Sequence, residues 1–331
     1  MEEGMNAIVQ HVYGSSDVLH LEEIERPSIG DEDVLVRVRA AGVDAGVWHV
    51  VAGQPYLFRL MMGPRRPKKQ VPGIDLSGVV DAIGSQVTRF KPGDEVYGSC
   101  DPLADGSFAE WARVAGRRLA PKPSNLSFEE AAAVPVSACT ALQALHDVAK
   151  VAAGQTVLVL GAGGGVGTYA VQLAKAFGAE VTAATSPAKA ALAASLGADH
   201  VIDYTRDDPV DGARRYDVIV DIGGRRPLRD LRRALTEHGT LALVGGEGGD
   251  RWTGGFGRQV VLAPLLSLAV SQSLRPVTGK VNGADLDELR GLIEAGKVTP
   301  AVDRAYPLAE AAEALRRVHA GDVAGKLVLT V

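Results

Sequence analysis

Residues 156–185 read TVLVLGAGGGVGTYAVQLAKAFGAEVTAAT, and this stretch narrows the possible folds more than any other part of the chain. A short apolar run, a cluster of glycines, an amphipathic stretch of helical length and a second apolar run follow one another with little loop between them. Glycines at such a junction let the backbone turn sharply out of a strand and let the following helix pack close against it. The pattern continues through PAKAALAASLGA, HVIDY, YDVIVDIG, PLRDLRRALTEHG and TLALVG. Strand and helix alternating in this way predict an α/β fold whose main domain is a Rossmann doubly wound parallel sheet.

The register of the glycines sets the cofactor loop. Starting G-x-G-x-x-G at Gly161 would put Val166 at its last glycine. Starting one residue later gives Ala162, Gly164 and Gly167, with alanine replacing the first glycine, and this register is preferred. Gly164 then lets the backbone approach a pyrophosphate, Gly165 and Val166 complete the loop, and Gly167 allows helix and strand to pack closely. An NAD-preferring site usually carries an acidic residue about 20 positions on. Here position 184 is alanine, followed by Thr185, Ser186 and Lys189. Two hydroxyls and a cation suit a phosphate rather than a ribose hydroxyl, so the expected cofactor is NADPH. Tyr204, at the end of HVIDY, is expected over the adenosine. Taken alone, Lys189 also reads as a solvated helix residue.

The first third of the chain has a different texture. NAIVQHV, DVLVRVRAAGV, LSGVVDAIG, DEVYGS and FAEWARV are strand-length runs separated by RPSIGDE, KPGD and LADGS, which predicts a small β-rich, barrel-like domain. Ser127 precedes an acidic turn, as a helix start does, and SFEEAAAVPVSACTALQALHDVA continues with helix formers. In the tail, LDELRGLIEAGKV and LAEAAEALRRVHAG read as helices and GKLVLTV as a strand, all returning to the first domain. A chain of 331 residues accommodates two such domains, expected at 1–124 with 276–331 and at 125–275.

Composition removes several functions. The net charge of -5 gives no footprint for nucleic acid, and the one basic cluster, GPRRPKKQ at 63–70, reads as a solvated loop. Two cysteines, Cys100 and Cys139, support neither a disulfide framework nor a four-cysteine zinc lobe. The most apolar stretch, VVLAPLLSLAV at 260–270, runs 11 residues and contains Pro264, short of the ~20 that a membrane span needs. The N-terminal MEEGMNAIVQ lacks an apolar signal core. A cytoplasmic protein with neither nucleic-acid nor membrane partners is the expectation.

With AAGVD, VPGIDLSGVV, FKPGDEVYG, GAGGGVG and the tail from Gly291 to Val331, nearly the whole chain resembles the zinc-free quinone oxidoreductase-like branch of the medium-chain dehydrogenase/reductase superfamily. That resemblance implies a GroES-like catalytic domain beside the Rossmann domain, NADPH as hydride donor and a homodimer. It also implies Thr140, Gly245 and Lys326 as cofactor residues. At the positions where zinc-dependent relatives hold their metal, this chain has Asp44, Ile74 and Val136. A catalytic zinc needs about three N, S or O ligands and an open position, so no metal is expected. Asp75 falls at the carboxylate that lies behind the metal in those relatives, and reads as a structural group paired with a cation or with backbone N–H groups.

Without a metal to lower a hydroxyl pKa, unactivated alcohols are poor substrates. A quinone or enone is already electrophilic, and hydrogen bonds to its oxygen suffice to stabilise the developing charge. The candidate catalytic groups are Tyr56, Asp44 and His49, all within GVDAGVWHVVAGQPY. Each has a plainer reading: Asp44 as a helix N-cap, His49 as packing beside Trp48, Tyr56 as a loop cap. The expected function is NADPH-dependent, metal-independent reduction of quinones or activated enones. A zinc-free NADP-dependent alcohol or carbonyl oxidoreductase, and a non-catalytic NADPH-binding regulatory protein, stay open as alternatives.

Overall fold

The computed structural model describes residues 4–101, 104–245, 251–252 and 254–331. In chain order the strands are β1 (Gly4–Val9), β2 (His20–Glu25), β3 (Asp33–Val43), β4 (Asp75–Ile83), β5 (Glu95–Ser99), β6 (Trp111–Ala115), β7 (Leu119–Pro121), β8 (Thr156–Leu160), β9 (Glu180–Thr185), β10 (His200–Asp203), β11 (Tyr216–Asp221), β12 (Leu235–Leu243), β13 (Ser273–Pro276), β14 (Val302–Pro307) and β15 (Lys326–Thr330). The helices are α1 (Ala45–Ala52), α2 (Arg59–Met62), α3 (Phe128–Ala132), α4 (Pro135–Leu142), α5 (Gly165–Ala176), α6 (Ala190–Ser195), α7 (Leu228–Arg233), α8 (Phe256–Ser267), α9 (Gly283–Glu294) and α10 (Ala311–Ala320).

Two compact units form: Met1–Val136 with Val281–Ala295 and Pro300–Val331, and Ser137–Lys280 with Gly296–Thr299. In the first, one sheet runs β14-β15-β3-β4-β5-β7, with β6 also on β3 and β1 paired with β2. Val34, Val36 and Val38 of β3 alternate with outward Arg37 and Arg39, so one face of this central strand enters the core with Leu76, Val96, Leu119 and Leu327. β3 takes β15 on one side, Leu327 opposite Val43, and β4 on the other, Leu76 opposite Ala41. That register brings the first residues of β15 and β4 to the end of β3, where Asp44 follows.

The second unit holds a six-stranded, wholly parallel sheet ordered β10-β9-β8-β11-β12-β13. Val157, Leu158 and Val159 of β8 are fully buried, as a strand covered on both faces requires. The strand order reverses between β8 and β11, and in such sheets ligands bind outside the carboxyl ends at that point.

The unit boundaries differ from those read in the sequence. The expected helix from residue 127 breaks into α3 and α4 at Pro135, since proline gives no N–H and disfavours helical backbone at the preceding residue. Ser127 caps α3 in a reciprocal capping box with Glu130. α3 packs on β3, β4 and β15 and accepts a hydrogen bond at the Phe128 carbonyl from Ser77, so it belongs to the first unit, and the boundary falls at 136 rather than 124. Gln143 exchanges two hydrogen bonds with the Lys280 backbone, and Gln172 two with Thr299, which carries 276–280 and 296–299 into the Rossmann unit.

Candidate functional site

At the carboxyl end of β8 the chain turns at Gly161, whose φ of +90° is in the region that favours glycine. Gly161 therefore makes the tight turn, while Ala162 beside it is buried. Gly164 is the N-cap of α5, and Gly165, Val166 and Gly167 form the helix's first turn, where N–H groups have no partner within the helix. A Cβ on Gly167 would lie 2.1 Å from the Gly161 carbonyl oxygen, so only glycine lets the helix start this close to the loop. A Cβ on Gly163 would lie 2.6 Å from both Thr185 Oγ1 and Lys189 Cβ. The loop thus runs directly against the residues read as a phosphate site. Together these bare glycines make a cradle that fits a dinucleotide.

Thr185 ends β9 buried, Ser186 follows with its hydroxyl oxygen accepting no helix-cap hydrogen bond, and Lys189 is half-buried. Tyr204 is 51% exposed, and its N–H donates to the Thr185 carbonyl, so it stands beside the same strand end. Gly245 follows β12; a Cβ there would come within 1.6 Å of the Ile222 carbonyl oxygen. Thr140, on α4, lies against Gly279 in the same unit.

One carboxylate here escaped the sequence reading. Asp221, 1% exposed, closes β11 beside the end of β8; it accepts the Gly224 N–H, and burial pushes its pKa up to about 6. Its signal in the sequence is VDIGG, a charged residue ending an apolar strand just before paired glycines.

In the first unit, Asp44, Asp75 and Lys326 form a buried cluster. The Lys326 ammonium lies 3.3 Å from Asp75 and 3.5 Å from Asp44, and is 2% exposed. Asp75 also accepts the Val136 N–H at 3.0 Å, so it has both the cation and the backbone donor expected for it. Asp44 accepts the Val47 N–H as the N-cap of α1. Burial pushes Asp75 up to about 7; Lys326 pulls against that shift and Asp44 adds to it. Burial acts to lower the Lys326 pKa, but Asp44 and Asp75 outweigh it and hold the ammonium above its ordinary value. The cluster thus sets two carboxyl groups against one ammonium, and burial outweighs the pull of that ammonium on Asp75. Lys326, expected as a cofactor residue, is therefore committed to two carboxylates inside the first unit.

α1 carries His49 in its last turn and ends at Gly53, in left-handed backbone. His49 Nδ1 lies 3.1 Å from the Gln54 carbonyl, a pairing in which Nδ1 donates its proton. The ring meets Trp48 edge-on. Tyr56 is half-buried in the next turn, with the Arg59 guanidinium 4.6 Å from its ring centroid.

At the three positions where zinc-dependent relatives hold their metal, the donor chemistry does not fit zinc. Asp44 is already engaged by Lys326 and a helix N–H, Ile74 is packed in the apolar core, and Val136 offers only an aliphatic side chain against that core. Among the described residues no group of three His, Cys, Asp or Glu side chains is arranged to hold a metal ion. Cys139 is fully buried.

Comparison with known proteins identifies the family of the two units. A family model described as an alcohol dehydrogenase GroES-like domain matches residues 30–177, and one described as a zinc-binding dehydrogenase matches residues 196–329. The chain is 35% identical to 2-methylene-furan-3-one reductase of Solanum lycopersicum, over 96% of this chain and 76% of that protein. It is 34% identical to a chloroplastic NADPH-dependent alkenal/one oxidoreductase of Arabidopsis thaliana, over 98% of this chain and 79% of that one. The solved structure of the quinone oxidoreductase from Coxiella burnetii superposes with a TM-score of 0.87 at 27% identity, covering 99% of this chain and all of the other.

Proposed function

The chain belongs to the medium-chain dehydrogenase/reductase superfamily and is an oxidoreductase, and from that premise we propose that it reduces quinones or α,β-unsaturated carbonyls with NADPH and without a catalytic metal. The observation that carries this reading is the Asp44–Lys326 ion pair, with Ile74 and Val136, at the positions relatives use for zinc. An acceptor that works there must already be electrophilic, which conjugation supplies.

When bound, NADPH supplies the hydride. The N–H groups of Gly165, Val166 and Gly167 would hold the pyrophosphate, with Gly164 leaving room for its approach while its own N–H donates to the Gly161 carbonyl, and Thr185, Ser186 and Lys189 would hold the 2′-phosphate. Tyr204 would face the adenosine, and Thr140 and Gly245 would serve the nicotinamide end. The Tyr56 phenol donates to the acceptor's carbonyl oxygen and stabilises the charge that develops there. His49 relays protons through Nε2, its ring fixed by the Gln54 carbonyl. Asp44 positions α1 and does not touch the acceptor.

A homodimer in the cytoplasm is part of the same proposal. β13 is an edge strand, and Val261, Leu262, Leu265 and Leu268 beside it are 59%, 45%, 59% and 86% exposed, a surface suited to a second copy.

Steady-state oxidation of NADPH with quinones, enones and simple ketones, with and without a chelator, tests the reading. Turnover is expected with the first two classes and is unchanged by the chelator. Tight NADPH binding with no turnover on any acceptor would contradict it and favour a non-catalytic role.

A further inference from the structure

Residues 57–68 form a surface that the chemistry above does not use. Leu57, Phe58, Leu60 and Met61 are 56%, 39%, 71% and 61% exposed. They flank Arg59, which faces inward: its guanidinium donates to the carbonyls of Gly53 and Ala52 and lies 4.5 Å from the Tyr13 ring centroid. Pinned at that residue, the turn holds its apolar neighbours toward water.

After α2 the chain doubles back. The Gly63 N–H donates to the Arg59 carbonyl and the Lys68 N–H to the Met62 carbonyl, each at 2.8 Å. Tyr13 Oη donates to the Gly63 carbonyl, also at 2.8 Å. Gly63 has a φ of +118°, and a Cβ there would lie 2.0 Å from the Arg66 carbonyl oxygen, so the turn is this tight only with glycine. It brings Arg65, Arg66 and Lys68, all exposed, beside the four apolar side chains. None of the three forms an ion pair among the described residues. From residue 45 to 74 the sequence has five Lys or Arg and no Asp or Glu, in a chain of net charge -5.

One exposed leucine is ordinary, but four adjacent apolar side chains against three uncompensated cations are not. A nucleic acid would engage the cations and leave the apolar side chains in water. A bilayer engages both, with apolar side chains at the boundary of headgroup and acyl chain and cations on the lipid phosphates. We propose that residues 57–68 are a docking face for an anionic lipid bilayer, holding the protein peripherally on its surface. No helix among the described residues is long and apolar enough to cross a membrane, which bears on spanning and not on surface docking. This inference stands apart from the proposed reaction, and its test does not read turnover.

The test is co-sedimentation of the full chain with phosphatidylcholine vesicles, with and without phosphatidylglycerol. Binding is expected only to the anionic vesicles and weakens as salt rises. Arg65→Glu/Arg66→Glu/Lys68→Glu lowers the partition coefficient by roughly a hundredfold or more, since losing each cation alone costs about fivefold. Leu60→Asp/Met61→Asp lowers it by roughly tenfold or more, while Leu21→Ser, at an exposed apolar side chain on β2, leaves it unchanged. Thermal unfolding of each variant separates loss of docking from loss of fold. Absence of binding to anionic vesicles overturns the proposal. So does loss on charge reversal with none on Leu60→Asp/Met61→Asp, which would make the surface a general polyanion patch.

Discussion

The Lys326 ammonium lies 3.3 Å from the Asp75 carboxylate, with the two side chains 2% and 0% exposed. Removing the cation would strand buried carboxylate, so Lys326→Met is expected to cost about 3–5 kcal/mol in urea unfolding. Asp75→Asn in the same chain removes the stranded charge and restores part of the loss. Equal stability of Lys326→Met and wild type would contradict the pairing.

The same cluster sets a pH dependence. Asp75 has a folded pKa of about 7 against an ordinary value of 3.8, so between those values the native state binds a proton that the unfolded state has released. Stability then falls as pH rises through that window and levels off above it. Asp221, raised to about 6, acts with the same sign. Asp75→Asn lacks one of these titrating protons, so its Tm relative to wild type is expected to rise from about pH 4 to 7. A difference that stays flat across that range would show that Asp75 titrates normally in the fold.

At the cofactor loop, Lys189→Ala is expected to weaken NADPH binding by about tenfold while changing NADH binding little, because a charge-assisted hydrogen bond to phosphate is lost only with the phosphorylated cofactor. Titration of both cofactors by fluorescence measures the ratio. An unchanged ratio removes Lys189 from the 2′-phosphate site.

Tyr56→Phe deletes one hydroxyl and leaves a ring that still stacks with Arg59. Turnover on quinones and enones is expected to fall about a hundredfold with NADPH affinity intact, as for the loss of one oxyanion donor. If every accepted carbonyl substrate kept its wild-type turnover, the donor role would be untenable.

What could be read from the sequence was local. The glycine loop and the Ser127 cap each declare themselves within a few residues, because turn geometry and capping depend on near neighbours. The partners of Lys326 cannot be read locally because they depend on strand register: it meets Asp44, 282 residues away in sequence, only because β15 pairs with β3. Pro135 breaks the run of helix formers that otherwise reads as one continuous helix. Asp75 could be read as a paired carboxylate, but which cation it pairs with could not.

The most direct measurement follows the label from NADPH deuterated at the transferred position into an α,β-unsaturated ketone, using chelator-treated protein and NMR of the product. Reduction as proposed places deuterium on the β-carbon and a solvent proton on the α-carbon, giving the saturated ketone. Deuterium on the carbonyl carbon, giving the allylic alcohol, or incorporation that appears only after zinc is added back, would contradict the account.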